Sequence, residues 1–366
     1  MACLRGVPLG EPPPTGTITE AEVVAKLEAM DTAGPPHPHG DTALRLLLLR
    51  PGTTNAEADA LARKQYAATL GAYYDDVTKS VTLVQHPTPF DPAVAQELLA
   101  HEYVHAQQDA EHDLGAYAKS HETSTDARLG VLSVVEGEAL LYEQLFVLHQ
   151  AGADPARAGW TEFFSRLEGE VEADTSDEKK PVDDALDLFP YAWGGDRAYR
   201  AWASAGVPAV RKLFDAPPAT ANGLLDPAFG LGPGQSFDDP TTVPTAFTRE
   251  SADSLGALAF GAFFARTHQL GVSPDPCGSV STYPTSAWRG DRMDVFGDDA
   301  TGATVLVWRV QLADATTATW AACELGPKTP LPAGASWHSR ADGGLVTLVV
   351  TDAPEALQPW LDAMGP

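Results

Sequence analysis

The stretch His101-Glu102-Tyr103-Val104-His105 decides how this chain is read. It is an H-E-x-x-H run. On a helix, positions i and i+4 lie one turn apart on one face, so imidazoles at 101 and 105 can hold one Zn2+ between them. Glu102 then stands beside the metal, where it can take a proton from bound water. The local context favours a helix. Asp91-Pro92 pairs an N-cap with proline at the first helical position, and the helix is predicted to run to about Asp109. Val94, Leu98 and Leu99 supply its inward face. The plainer alternative is an exposed helix carrying two ordinary histidines.

Zinc needs a third ligand. A metal helix extended by a glycine turn would need Gly at 108 and a ligand at 111. Here these are Gln108 and Glu111, with His112 one residue late, so that class does not fit. The next long helix, predicted over 126–150, offers Val135-Glu136-Gly137-Glu138-Ala139. A charge among Val131, Leu132, Val134, Leu140 and Leu141 is costly unless paired or metal-bound. Glu136 and Glu138 lie about 200° apart around the helix, so only one faces the metal easily. Glu136 is the expected ligand, with Glu138 toward the periphery. Glu138, Glu122 and Asp126 are fallback ligands, and an ion pair with Arg128 is the non-metal alternative for Glu136. Gly137 costs about 1 kcal/mol relative to Ala in mid-helix. It makes sense if this helix closely approaches the H-E-x-x-H helix.

Composition bounds the partners. The chain has 366 residues, with 24 basic and 50 acidic side chains, 24 − 50 = −26. Such a chain repels nucleic acid and anionic lipid, so neither is an expected partner. The longest apolar runs are as short as Leu46 to Leu49, so no transmembrane segment is read. The H-E-x-x-H run, not the composition, is what suits a peptide or protein substrate, and oligomeric state is unknown. The three cysteines, Cys3, Cys277 and Cys323, form no C-x-x-C zinc motif. Cys277 and Cys323 can pair if the chain is exported; two separate buried thiols are the alternative. No signal peptide is read at the N-terminus. Cys3, preceded by a small residue, suits the lipid-bearing cysteine of a bacterial lipoprotein.

Around the two central helices the pattern is mixed. Thr19-x-x-Glu22 is a capping box opening a helix, and 35–41 reads as a loop. Residues 55–70 read as a helix, and 72–84 as a β-hairpin turning at 75–80. The acidic stretch 168–187 lacks a calcium-loop pattern and is read as a solvated loop. Shorter helices are expected at 191–205 and 208–214, a Pro/Gly-rich connection at 217–244, and a helix at 251–268. Strands are expected at 293–296, 305–311 and 345–351, with helices at 316–325 and 355–364. The units expected are an N-terminal helical extension (1–52), a core (53–215), the connection (216–250) and a C-terminal α+β region (251–366).

The pairing of H-E-x-x-H with Glu in an E-G-x-A helix resembles the gluzincin-type metallopeptidases, which include aminopeptidase N-like and thermolysin-like groups. More narrowly, the order of segments resembles a bacterial group of zinc metallopeptidases that are often exported or lipid-anchored. The segments are His101 to Asp109, Glu136 to Ala139, Phe189 to Gly194, Pro217 to Thr220, and Trp288 to Asp291, within about residues 60–325. The resemblance implies an α+β, zincin-like, mainly helical metallopeptidase core with a smaller C-terminal α+β region. It implies one Zn2+ per chain on His101, His105 and Glu136, with Glu102 as general base. It also implies an exported bacterial protein, extracellular, periplasmic or lipid-anchored.

Related folds carry further implications. The position four after the ligand Glu, an Asp in thermolysin-like enzymes, is Leu140 here. The group that orients His101 is therefore unassigned, with Asp109 and Asp126 as candidates. Tyr191 is the candidate oxyanion donor, a buried structural Tyr being the alternative. Tyr73 and Tyr74 lie on the hairpin, and extended substrate is expected along Val81 to Val84. The competing function is a non-catalytic exported binding or structural protein that keeps zinc as a staple.

Overall fold

The computed structural model describes residues 2–8, 10–33, 38–52, 54–240, 242–270, 277, 284–325 and 334–364. It is an α+β protein. Its first half runs α1 (Ala2–Arg5), β1 (Thr15–Thr19), α2 (Glu20–Ala33), α3 (Pro38–Leu46), α4 (Asn55–Thr69), β2 (Ala72–Asp75), β3 (Ser80–Gln85), α5 (Pro92–His112), α6 (Leu114–His121) and α7 (Thr125–Gln150). Next come α8 (Trp160–Ser176), α9 (Val182–Phe189), a π-helical turn (Pro190–Gly194), α10 (Gly195–Ala205), α11 (Val207–Arg211) and α12 (Asn222–Leu225). The C-terminal part holds β4 (Thr248–Asp253), α13 (Gly256–Leu270), α14 (Pro284–Ala287), β5 (Trp288–Asp298), β6 (Ala303–Leu312), α15 (Ala315–Glu324), β7 (Ser336–Asp342), β8 (Leu345–Thr351) and α16 (Pro354–Met364).

Local chemistry sets the two helices that matter most. Asp91 caps α5 by accepting from Ala93 N–H, with Pro92 at its first position. Ser124 caps α7 by accepting from Ala127 N–H. The two helices pack on each other, and Val104 of α5 joins Leu140, Leu141, Tyr142 and Phe164 in one buried cluster. The capping box at Thr19 and Glu22 forms as expected, with Glu22 accepting from Thr19 N–H at 2.8 Å.

Two sheets flank the helices. The small one has the order β1-β3-β2, with β1 parallel to β3 and β2 antiparallel to it. The larger one is antiparallel with the order β4-β5-β6-β8-β7, and α13 packs its phenylalanines against Trp308 and Trp337. The described residues within 1–52 do not stay together as one extension. Arg5 reaches α7, β1 joins the small sheet, and Leu46, Leu47 and Leu49 enter the core beneath the large sheet.

Several sequence expectations are corrected. The acidic stretch 168–187 is mostly helix, in α8 and α9, because Phe164 and Val171 bury one face while the acids point outward. Of the loop expected at 35–41, residues 35–37 lie outside the described residues, and α3 begins at Pro38. The helix expected from 251 begins at Gly256, after strand β4. Strands β1 and β7 were not expected at all. β1 pairs with β3 far along the chain, which local patterns do not reveal, whereas β7 forms a tight hairpin with β8 across Gly343-Gly344, a local turn signal that sequence reading could have used.

Candidate metal centre

His101 and His105 project from one face of α5 toward α7, where Glu136 meets them. The His101 Nε2 to His105 Nε2 distance is 3.0 Å. Glu136 Oε2 lies 3.1 Å from the first nitrogen and 3.2 Å from the second. Tetrahedral ligands about 2.1 Å from a zinc ion stand about 3.4 Å apart, so the triangle is close to that size. These three side chains form the group among the described residues that could hold a metal ion.

The donor set also fits a cation chemically. His101 Nδ1 lies 2.9 Å from Glu143 Oε2, a carboxylate that accepts. His105 Nδ1 lies 2.8 Å from the Gln108 side-chain oxygen. Each ring therefore has its proton placed on Nδ1, leaving both Nε2 lone pairs aimed at the Glu136 oxygen. Three acceptors converging on one point call for a positive charge between them. Without a metal, protons must serve. Burial works against charge on His101, yet its bonds to Glu136 and Glu143 prevail and raise its pKa well above 6.5. Burial opposes the charged form of Glu136 as well, but the His105 and His101 rings outweigh it and hold the carboxylate well below its ordinary range.

Glu102 is buried at 6% exposure and is not part of the ligand triangle. Burial raises its pKa, against the pull of His105 and His101. The Tyr74 backbone on β2 also acts to lower it. Tyr191 stacks on His101 with ring centroids 5.7 Å apart. Burial, the Glu136 charge and a bond to Glu136 raise the Tyr191 hydroxyl pKa well above 10, so at neutral pH it is a donor. Tyr191 sits in the π-helical turn, an irregularity often found at functional sites.

Gly137 explains how that turn comes so close. A Cβ there would lie 2.3 Å from the Gly194 carbonyl carbon. The close approach is therefore to the Tyr191 turn, not to the H-E-x-x-H helix as expected from sequence.

The remaining sequence candidates lie elsewhere. Glu138 is not peripheral: it is fully buried and bonded to Arg5 and Gln108. Asp126 accepts from Ala221 N–H at the start of α7. Glu122 stands 3.9 Å from Arg128, so Arg128 is not the partner of Glu136. Asp109 does not orient His101; it accepts from Tyr74 O–H and Leu114 N–H and pairs with Lys79. The orienting group is Glu143, seven residues after Glu136 and nearly two full helical turns on, a spacing that sequence reading could have used. Strand β3 is central, with β1 on one side and β2 on the other, so Val81 to Val84 offer no free edge to a peptide. Of the two outer strands, β2 carries Tyr74, whose backbone acts on the Glu102 carboxyl.

A cavity of about 230 Å3 lies beside His105 and Glu136, walled by Tyr74, Leu114, Tyr117, Val131 and Val135. A larger hollow of about 360 Å3 lies between the start of α7 and the large sheet and includes none of the triangle residues. Cys277 and Cys323 form a disulfide, with Cα atoms 5.8 Å apart. Cys3 is exposed and unpaired. No described helix is long and apolar enough to cross a membrane. Comparison with family models, curated proteins and solved structures gave no match to this chain.

Proposed function

We propose that this protein is a zinc-dependent peptidase of gluzincin-like type. The carrying observation is the conjunction of the His101–His105–Glu136 triangle with a buried carboxylate, Glu102, that stands outside it. A purely structural site has no use for that carboxylate. The two imidazoles and one carboxylate suit Zn2+ better than Ca2+ or Mg2+, which prefer oxygen shells. Zinc held there supplies Lewis acidity, polarising a carbonyl and making water a better nucleophile.

The chain's own residues supply the rest. Glu102, its pKa raised by burial, takes a proton from water and passes it to the leaving amine. Tyr191 offers a hydroxyl donor to the developing oxyanion. Substrate lies along the β2 edge, and the cavity beside His105 takes an apolar side chain. The disulfide and exposed Cys3 support an exported protein, with Cys3 as the point for a lipid anchor.

Glu102→Gln and Glu136→Gln test this together. Protein purified without chelator is expected to hold about one zinc per chain and to cleave members of a broad peptide library. Glu102→Gln should keep its zinc and lose activity by about 10²–10⁴-fold. Glu136→Gln should lose zinc. A zinc-loaded parent that cleaves nothing would favour the structural staple, and a parent that binds no zinc would end both readings.

A further inference from the structure

Arg5 reaches the centre from the side away from the metal triangle. It is 1% exposed. Its Nε and Nη2 donate to Glu138 Oε1 at 3.2 and 2.9 Å, and Nη2 also reaches Oε2 at 3.0 Å. Further donations go to Gln107 and Glu111 at 3.3 and 3.2 Å, and the guanidinium lies over the Tyr142 ring. A guanidinium fork of this kind fixes a carboxylate in direction as well as position.

Glu138 Oε2 has a second donor, the Gln108 side-chain nitrogen at 2.9 Å. That nitrogen also donates to Val135 C=O at 2.9 Å. Two acceptors at one end of an amide require the NH2 group there. The Gln108 oxygen must therefore face His105 Nδ1, as the 2.8 Å contact shows. An acceptor at Nδ1 keeps the proton there and leaves Nε2 bare. A flipped Gln108 would donate to Nδ1 instead and place the proton on Nε2, the atom a metal needs.

We propose that Arg5 is a positioning residue of the metal centre: it fixes Glu138, which fixes the Gln108 amide, which holds His105 in its metal-binding tautomer. The purpose of this relay rests on the zinc reading above; the relay itself does not. The segment containing Arg5 is thereby part of the site, although 133 residues separate Arg5 from Glu138.

The alternative is an ion pair that only holds α1 against α7. The double variant Arg5→Met/Glu138→Leu separates the two, because it leaves no unpaired buried charge. Its melting temperature should stay near the parent's. Its zinc affinity, measured by chelator competition, should fall about 10–100-fold. In metal-free protein, the Gln108 side-chain NH2 protons should exchange with solvent much faster than in the parent. Arg5→Lys keeps a cation but not the fork, and should show the same two changes to a smaller degree. If the double variant does not fold, Arg5→Lys decides by these two measurements. Parental zinc affinity together with a protected Gln108 amide would overturn the proposal. If the parent binds no zinc, the peptidase reading fails and amide exchange alone judges the relay: faster exchange supports it, unchanged exchange overturns it.

Discussion

Glu136 and Glu143 grip the same imidazole from opposite sides: Glu136 lies 3.1 Å from His101 Nε2, and Glu143 lies 2.9 Å from its Nδ1. Seven residues on a helix return to within about 20° of the starting direction, so one face of α7 supplies both carboxylates. Glu143→Leu should leave the ligand triangle complete but unoriented. Zinc affinity is expected to fall about 10–100-fold, and the metal-free protein is expected to melt lower as well, because the buried His101 ring loses the carboxylate that helps hold it charged. Chelator competition and calorimetry measure the two, and parental affinity would show that His101 needs no such support.

Tyr191→Phe keeps the ring that stacks on His101 and removes only the hydroxyl. Zinc content should be parental. Turnover should drop about 10²–10³-fold if the hydroxyl serves the oxyanion, with substrate binding little changed. An equal rise in KM with kcat untouched would instead assign Tyr191 to binding.

Gly137→Ala sets two effects against each other. Helix propensity favours Ala by about 1 kcal/mol. The new Cβ, however, would sit 2.3 Å from backbone of Gly194, which no side-chain motion relieves. Forced separation of α7 from the Tyr191 turn should win, with a net loss of about 1–3 kcal/mol. Urea denaturation measures it, and a more stable variant would mean the turn yields freely.

Asp126 should make stability fall with rising pH. Burial raises its pKa to about 8, opposed by the Ala221 N–H bond and assisted by Asp291 and Asp253. The ordinary value is 3.8, so between these two the native state keeps a proton that the unfolded chain has released. The contribution is fully present below the lower value and is lost as pH rises through the higher one. Asp126→Asn keeps an acceptor for Ala221 and cannot ionise. Its stability should be flatter across that window and exceed the parent's above it. Parallel curves for the two proteins, from denaturation at several pH values, would contradict this.

What was legible in the sequence is local. The α5 start is written in Asp91-Pro92, and the metal triangle follows from helical spacing plus one acidic position in an apolar stretch. Gly137 was flagged by its cost, but its partner could not be named, because Gly194 is brought there only by tertiary packing. The same holds for Arg5: nothing near it in the chain announces Glu138. Residues 168–187 were misread because their acids dominate the composition while only Val171 and a few neighbours face inward. Val81 to Val84 lack the free edge expected of them because β1, which takes one edge of β3, is a short exposed segment with little strand signal.

The places that Arg5 and Leu47 take bear on the order in which the molecule assembles. His101 and Glu136 are 35 residues apart, on helices that carry their own caps. Arg5 must close a loop of 133 residues to reach Glu138, and Leu47 must find a core built mostly from Leu255 and residues after it. Contacts so distant along the chain form slowly, after the local ones. During refolding, the two histidines and Glu136 are therefore expected to meet before Arg5 docks. On the zinc reading, metal ions present at that stage would encounter a cluster whose His105 is still free to take either tautomer, and tight capture would be a late event, timed by the seating of a segment that never touches the metal.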